Sequence, residues 1–185
     1  MKNVLIVISG PSGVGKGTIA RELIKRNKNL ALSISCTTRE PRRGEQHGKE
    51  YFFIKKEEFL GLIDNDGLIE YSNHFENYYG TPKKFVEDKL NDFDVILEID
   101  VNGGLNVKKN FPSAVLIMIT PPSVEEIERR LLKRNTEPIE KIKLRMERIG
   151  YELEKQSLYD YTVINDDLET AIKEIENIIN IEKNK

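Results

Sequence analysis

Runs of consecutive apolar residues alternate along this chain with segments of helical periodicity. Val4–Ile8 is continuous, β-branched and bounded by Gly10 and Pro11, which predicts a central strand buried on both faces. A helix is predicted next, from Lys16 to Arg26, with Ile19, Ala20, Leu23 and Ile24 on one stripe. The buried-strand pattern returns at Asp94–Ile99 and Ala114–Ile119, each ahead of a helical segment, Gly103–Asn110 and Val124–Arg134. Tyr161–Ile164 and the amphipathic stretch Leu168–Ile181 close the series. Strands alternating with helices predict an α/β fold, a parallel sheet with helices flanking both faces.

Two regions break this rhythm. Residues 35–81 are rich in Arg, Gly, Glu and Tyr with short strand-like pieces such as Tyr51–Ile54, and are expected to form an inserted substrate-binding subdomain. A charged stretch after an Arg-studded helix reads as a lid, 127–145. The core is then 1–34, 82–126 and 146–185, and Glu182–Lys185 is expected to fray.

Composition narrows the function classes. A chain of 185 residues, 38% hydrophobic and 32% charged, suits one soluble domain. A net charge of −2 provides no global basic field, so neither nucleic acid nor an anionic membrane is an expected partner. Cys36 is the single cysteine, which excludes an intrachain disulfide. No signal-peptide pattern or spanning stretch is present, so a cytoplasmic location is expected.

Gly10, Pro11, Ser12, Gly13, Val14, Gly15 and Lys16 fit G-x-x-x-x-G-K, directly after the first strand and opening the first helix. Glycines let successive backbone N–H groups turn inward on an anion, the helix N-terminus adds partial positive charge, and Lys16 reaches the β- and γ-phosphates of a nucleotide. Where the motif expects Ser or Thr after the lysine, this chain has Gly17 and then Thr18. A metal is therefore held by Thr18, by waters or mainly by the nucleotide. This variant points to a small nucleotide kinase more than to a switch GTPase, which would also carry an N-K-x-D motif.

Arg39, Arg42 and Arg43 cluster on a loop that Pro41 and Gly44 force to turn. Planar guanidiniums of this kind suit a phosphate monoester, although a solvated loop with incidental charge has the same composition. The segment Ser35–Tyr51 resembles the GMP-binding signature of guanylate kinases, S-x-T-T-R-x-P-R-x-G-E-x-x-G-x-x-Y, at every fixed position. The resemblance continues through Glu70, Asn77–Thr81, Leu97–Asp100, Arg134–Glu137 with Arg145, and Tyr161–Asp167, nearly the whole chain in order. Glu98, Asn102 and Asn135 depart mildly from the common family residues.

The resemblance implies a P-loop nucleoside monophosphate kinase-like fold that moves the terminal phosphoryl group of ATP, with Mg²⁺, onto GMP or dGMP. It implies that Arg39, Arg42, Tyr51 and Tyr79 hold the GMP phosphate, while Ser35, Glu70, Thr81 and Asp100 contact guanine. Glu98 shares a strand face with Asp100 and joins the GMP set. Guanine offers two adjacent donors that one carboxylate can accept, whereas adenine offers an acceptor there, which is why a carboxylate such as Glu70 can discriminate. Catalysis is assigned to Lys16, Arg39, Arg42, Arg134 and Arg145, the last two closing with the lid. Arg130 shares a helix face with Arg134 on the ATP side, and Asn165 is expected near the adenine. Helix-surface pairing with Glu126 and Glu147 remains the other reading of Arg130, Arg134 and Arg145. His47 and His74 need no catalytic role. Alternatives in other classes are a different small-molecule kinase on the same scaffold and a non-catalytic guanylate-kinase-like module. A monomer and a homodimer fit equally well.

Overall fold

The structure, a computed structural model, describes residues 2–74, 76–134 and 139–185; the side chains of residues 74, 130, 131, 133, 134, 139–141 and 143–145 fall outside the described set. β1 (Leu5–Ser9) is buried throughout, as its unbroken apolar run requires, and leads through the Gly-rich turn into α1 (Lys16–Arg26). A short strand, β2 (Leu30–Leu32), follows. The chain then builds a separate region from β3 (Cys36–Thr37), β4 (Phe52–Phe53), α2 (Lys56–Asp64), β5 (Leu68–His74) and β6 (Asn77–Pro82). It returns through α3 (Lys83–Leu90) to β7 (Asp94–Glu98), α4 (Val101–Asn110) and β8 (Val115–Thr120). α5 (Val124–Arg134), α6 (Ile139–Leu153), a 3-10 turn at Glu154–Leu158, β9 (Tyr161–Ile164) and α7 (Leu168–Lys183) complete the chain.

The main sheet has the order β2-β7-β1-β8-β9 and all its pairings are parallel. Each face is apolar. Ile6, Ile8, Ile117 and Ile119 pack with Ile19 and Leu23 of α1 and Ile172 and Ile175 of α7. Leu5, Val7, Leu97, Leu116 and Met118 pack on the opposite side with Val86, Val101 and Val107. Because side chains alternate across a strand, an unbroken apolar run is what burial on both faces demands.

The second sheet, β4-β3-β6-β5, mixes one parallel and two antiparallel pairings over a small core of Cys36, Phe59 and Leu68. α5 and α6 pack on each other through Ile127, Ile142 and Ile149. Arg130, Arg134 and Arg145 belong to these two helices, and their side chains lie outside the described residues, as does Asn135.

The C-terminus corrects one expectation. Glu182–Lys185 is not a frayed tail: α7 runs to Lys183, whose Nζ lies 2.7 Å from Oδ2 of Asp94, a carboxylate only 1% exposed. Asp94 Oδ1 accepts from the Val4 N–H at 3.0 Å. A buried carboxylate at the start of β7 needs a cation, and the end of α7 provides it. Glu182 is also bonded to Tyr161 and Lys185. Among the described residues, no helix is long and apolar enough to cross a membrane.

Candidate active site

The turn after β1 is built around the ammonium of its own lysine. Lys16 Nζ donates to the carbonyls of Gly10 at 2.7 Å and Pro11 at 3.1 Å. Burial lowers its pKa, and the carboxylates of Glu98, Glu152 and Asp100 oppose that shift. Gly15 has φ +102° and lies so close to Asn165 that a Cβ there would stand 2.5 Å from Nδ2. That amide donates to the Val14 carbonyl at 2.7 Å, while the Asn165 backbone N–H donates to Thr120 at 2.8 Å. Asn165 is thus a brace between the end of β9 and the glycine turn.

Beside this turn, the carboxyl ends of the parallel strands meet the second sheet in a cleft of about 360 Å³, where ligands of open α/β sheets gather. Ser35, Tyr51, Glu70, Ser72, Tyr79, Glu98, Asp100 and Arg148 line it. Glu70 lies where the β5–β6 ladder shifts register, between Leu68 and Tyr71, and such irregularities re-aim a side chain. It is 6% exposed and accepts a hydrogen bond from the Thr81 hydroxyl at 2.7 Å. Its other oxygen sits against the first turn of α4, 3.2 Å from where a Cβ on Gly103 would stand, so only glycine fits there without displacement. Burial pushes the Glu70 carboxyl up to about 7, opposed by the Thr81 bond and aided by the neighbouring Asp100 charge.

Asp100 does not extend β7, which ends at Glu98; it caps α4, accepting from the Gly103 N–H at 2.8 Å. Both carboxylates nevertheless reach the same cleft. Arg148 enters from α6, with Nη2 3.5 Å from Asp100 Oδ2 and Nε donating to Glu152 Oε1 at 2.9 Å.

Behind the residues that line the cleft, Arg39 lies over the rings of Tyr51 and Phe53, and Tyr51 and Tyr79 meet edge to face at 6.0 Å. Glu45 joins the two loop arginines, bonding Arg39 Nη2 at 3.0 Å through one oxygen and the Arg42 N–H at 2.7 Å through the other.

Carboxylate and hydroxyl oxygens are the side-chain donors nearest the glycine turn, and such oxygens suit a hard cation such as Mg²⁺. Glu98 Oε1 would lie 3.1 Å from a Cβ on Gly17, so carboxylate oxygen stands against the backbone where related loops place a hydroxyl. Thr18 is exposed, with Arg21 Nη2 3.4 Å from its hydroxyl on the outside of α1. No cluster of three or more His, Cys, Asp or Glu suited to a metal occurs among the described residues.

The family model described as guanylate kinase matches residues 2–182. The chain belongs to the guanylate kinase family. It is 51% identical over 183 residues to a guanylate kinase of Caldanaerobacter subterraneus, covering 98% of this chain and 89% of that one. A guanylate kinase of Carboxydothermus hydrogenoformans is 49% identical over 185 residues, with coverage of 100% and 91%. The crystal structure of guanylate kinase from Anaplasma phagocytophilum superposes with TM-score 0.78 at 34% identity, covering 100% of this chain and 88% of that one. A shikimate kinase structure from Bacteroides thetaiotaomicron aligns at TM-score 0.51 and 14% identity, a likeness of fold alone.

Of the residues selected from the sequence as family site residues, the structure gathers Ser35, Tyr51, Glu70, Tyr79, Glu98 and Asp100 in the cleft, with Thr81 bonded to Glu70. Lys16 senses Glu98 and Asp100 of this set from the glycine turn. Three charged residues were missed. Glu45 lies inside the arginine loop, three positions after Arg42, and that spacing was a usable signal. Arg148 and Glu152 stand at i,i+4 on α6, a recognisable ion-pair spacing, but nothing in their spacing tells that the pair reaches Asp100.

Proposed function

We propose that this chain transfers the terminal phosphoryl group of ATP to GMP or dGMP. The observation that carries the reading is Glu70: a carboxylate 6% exposed, bonded to Thr81, in a cleft that adjoins the lysine of the glycine turn. Ionised, it accepts from both N1–H and N2–H₂ of guanine. Adenine has neither donor there, and the buried charge would be left without a partner. Ser35 and Asp100 complete the base contacts. Arg39 and Arg42 take the acceptor phosphate together with the hydroxyls of Tyr51 and Tyr79, and Glu45 keeps the two arginines in place until it arrives.

On the donor side the glycine turn offers its N–H groups, and Lys16 exchanges two neutral carbonyl partners for charged phosphate oxygens, a stronger bond. No general base is needed, because a phosphate monoester with a second pKa of about 6 is largely dianionic at neutral pH. Positioning and charge neutralisation therefore carry the reaction. When bound with ATP, Mg²⁺ would supply further neutralisation of the phosphate oxygens, with Thr18 and Glu98 the protein oxygens at hand. Arg130, Arg134 and Arg145 add lid cations on this reading, with Asn165 holding the turn at the nucleotide end. The substrates are nucleotides of the cytoplasm, which is the proposed location.

A coupled assay offering GMP, dGMP, AMP and UMP tests the reading. GMP and dGMP should turn over with kcat/KM at least about 10³-fold above AMP. Equal rates for GMP and AMP would reject it.

A further inference from the structure

Arg148 ties α6 to the floor of the acceptor cleft. Its Nε is held by Glu152 Oε1 at 2.9 Å, and the Glu152 side chain is only 8% exposed, a fixed anchor within the same helix. Its Nη2 faces Asp100 Oδ2 at 3.5 Å. The remaining Asp100 oxygen caps α4 through Gly103, and Gly103 in turn packs against Glu70. A continuous path therefore runs from α6 through Arg148 and Asp100 to the carboxylate that meets the base.

We propose that Arg148 is a positioning residue for acceptor recognition: by pairing with Asp100 it fixes that carboxylate beside Glu70 and couples α6 to occupancy of the base cleft. This rests on the reading of the cleft as the GMP site. The charge balance there explains the need. Three carboxylates line the cleft, Glu70 from β5, Glu98 from β7 and Asp100 from the α4 cap, and Arg148 is the one guanidinium lining it among the described residues. Lys16 approaches from the glycine turn, Glu152 from α6, Thr81 and Tyr79 from β6, and Tyr51 from the loop before β4. Asp100 already opposes ionisation of Glu70. Without Arg148 that opposition grows, and Glu70 must ionise to accept from two guanine donors.

Arg148→Met and Arg148→Lys test this, with KM for GMP and for ATP measured between about pH 6 and 9 and a melting temperature for each variant. Arg148→Met should raise KM for GMP about fivefold at neutral pH, the scale of a half-exposed ion pair. KM for ATP should stay within about twofold, the acid limb of kcat/KM for GMP should move to higher pH, and Arg148→Lys should restore most of the loss. An unchanged KM for GMP and an unmoved limb would overturn the proposal. So would a joint rise of both KM values with a lower melting temperature and no shift of the limb, which is loss of packing alone. A fall in kcat alone would place Arg148 on the transferring group and overturn it as well. If the wild-type enzyme itself failed to prefer GMP over AMP, the reading of the cleft would fall instead.

Discussion

The side-chain amide of Asn165 donates to the backbone carbonyl of Val14 at 2.7 Å, joining positions 151 residues apart. One bond thereby fixes the glycine turn after the first strand to the end of the last. Val14 is fully buried and Asn165 is 7% exposed, so the carbonyl has no ready substitute partner in water. Asn165→Ala should cost about 1–2 kcal/mol, read as a melting temperature lower by about 2–8 °C. KM for ATP should rise while KM for GMP changes little, because the turn and not the base cleft is loosened.

Glu70 sets a pH dependence with two opposite signs. Its folded pKa of about 7 lies above its ordinary 4.5, so the folded protein holds this proton more tightly than the unfolded chain. The contribution to stability is full below 4.5 and is lost as pH rises through about 7. The melting temperature of the ligand-free protein should therefore carry a component that falls from pH 5 to 8, and Glu70→Gln should remove that component. Acceptor affinity should run the other way, improving as the carboxylate ionises. In Glu70→Gln the limb near 7 should vanish, leaving only the step of about 6 that belongs to the substrate phosphate.

Lys16→Met separates chemistry from folding. The ammonium is partly buried, its pKa is lowered by that burial, and its hydrogen bonds go to two neutral carbonyls. Removing it should cut kcat by about 10²–10³-fold or more, with a melting temperature no lower than that of the wild type.

Glu45→Ala should raise KM for GMP without moving the KM for ATP. Glu45 links Arg39 Nη2 to the Arg42 backbone, and without it the two arginines lose their common support. Paired initial-rate series in each substrate check this.

Lys183→Ala should destabilise the fold without touching turnover. It leaves Asp94, 1% exposed, with the Val4 N–H and no cation. The expected cost is about 2–4 kcal/mol, visible in a urea melt, with kcat and both KM values unchanged.

The repeating strand and helix pattern was legible because burial on both faces of a parallel strand forces an unbroken apolar run. Val4–Ile8, Asp94–Ile99 and Ala114–Ile119 signalled β1, β7 and β8 for that reason. β2 escaped notice: it is an edge strand of three residues, too short for a pattern. The motif positions were legible too, since a glycine turn and an arginine loop are local in sequence.

What sequence by itself determined was the set of chemical groups: the glycine turn with its lysine, the arginines, and a carboxylate at position 70. Only the tertiary structure decided how these groups condition one another. Burial of Glu70, its neighbour Asp100, the reach of Arg148 from α6 and the brace of Asn165 on Val14 all join positions distant along the chain. Solvation and electrostatics depend on distance in space, and no spacing along the sequence encodes that distance until the sheet has brought the strand ends together.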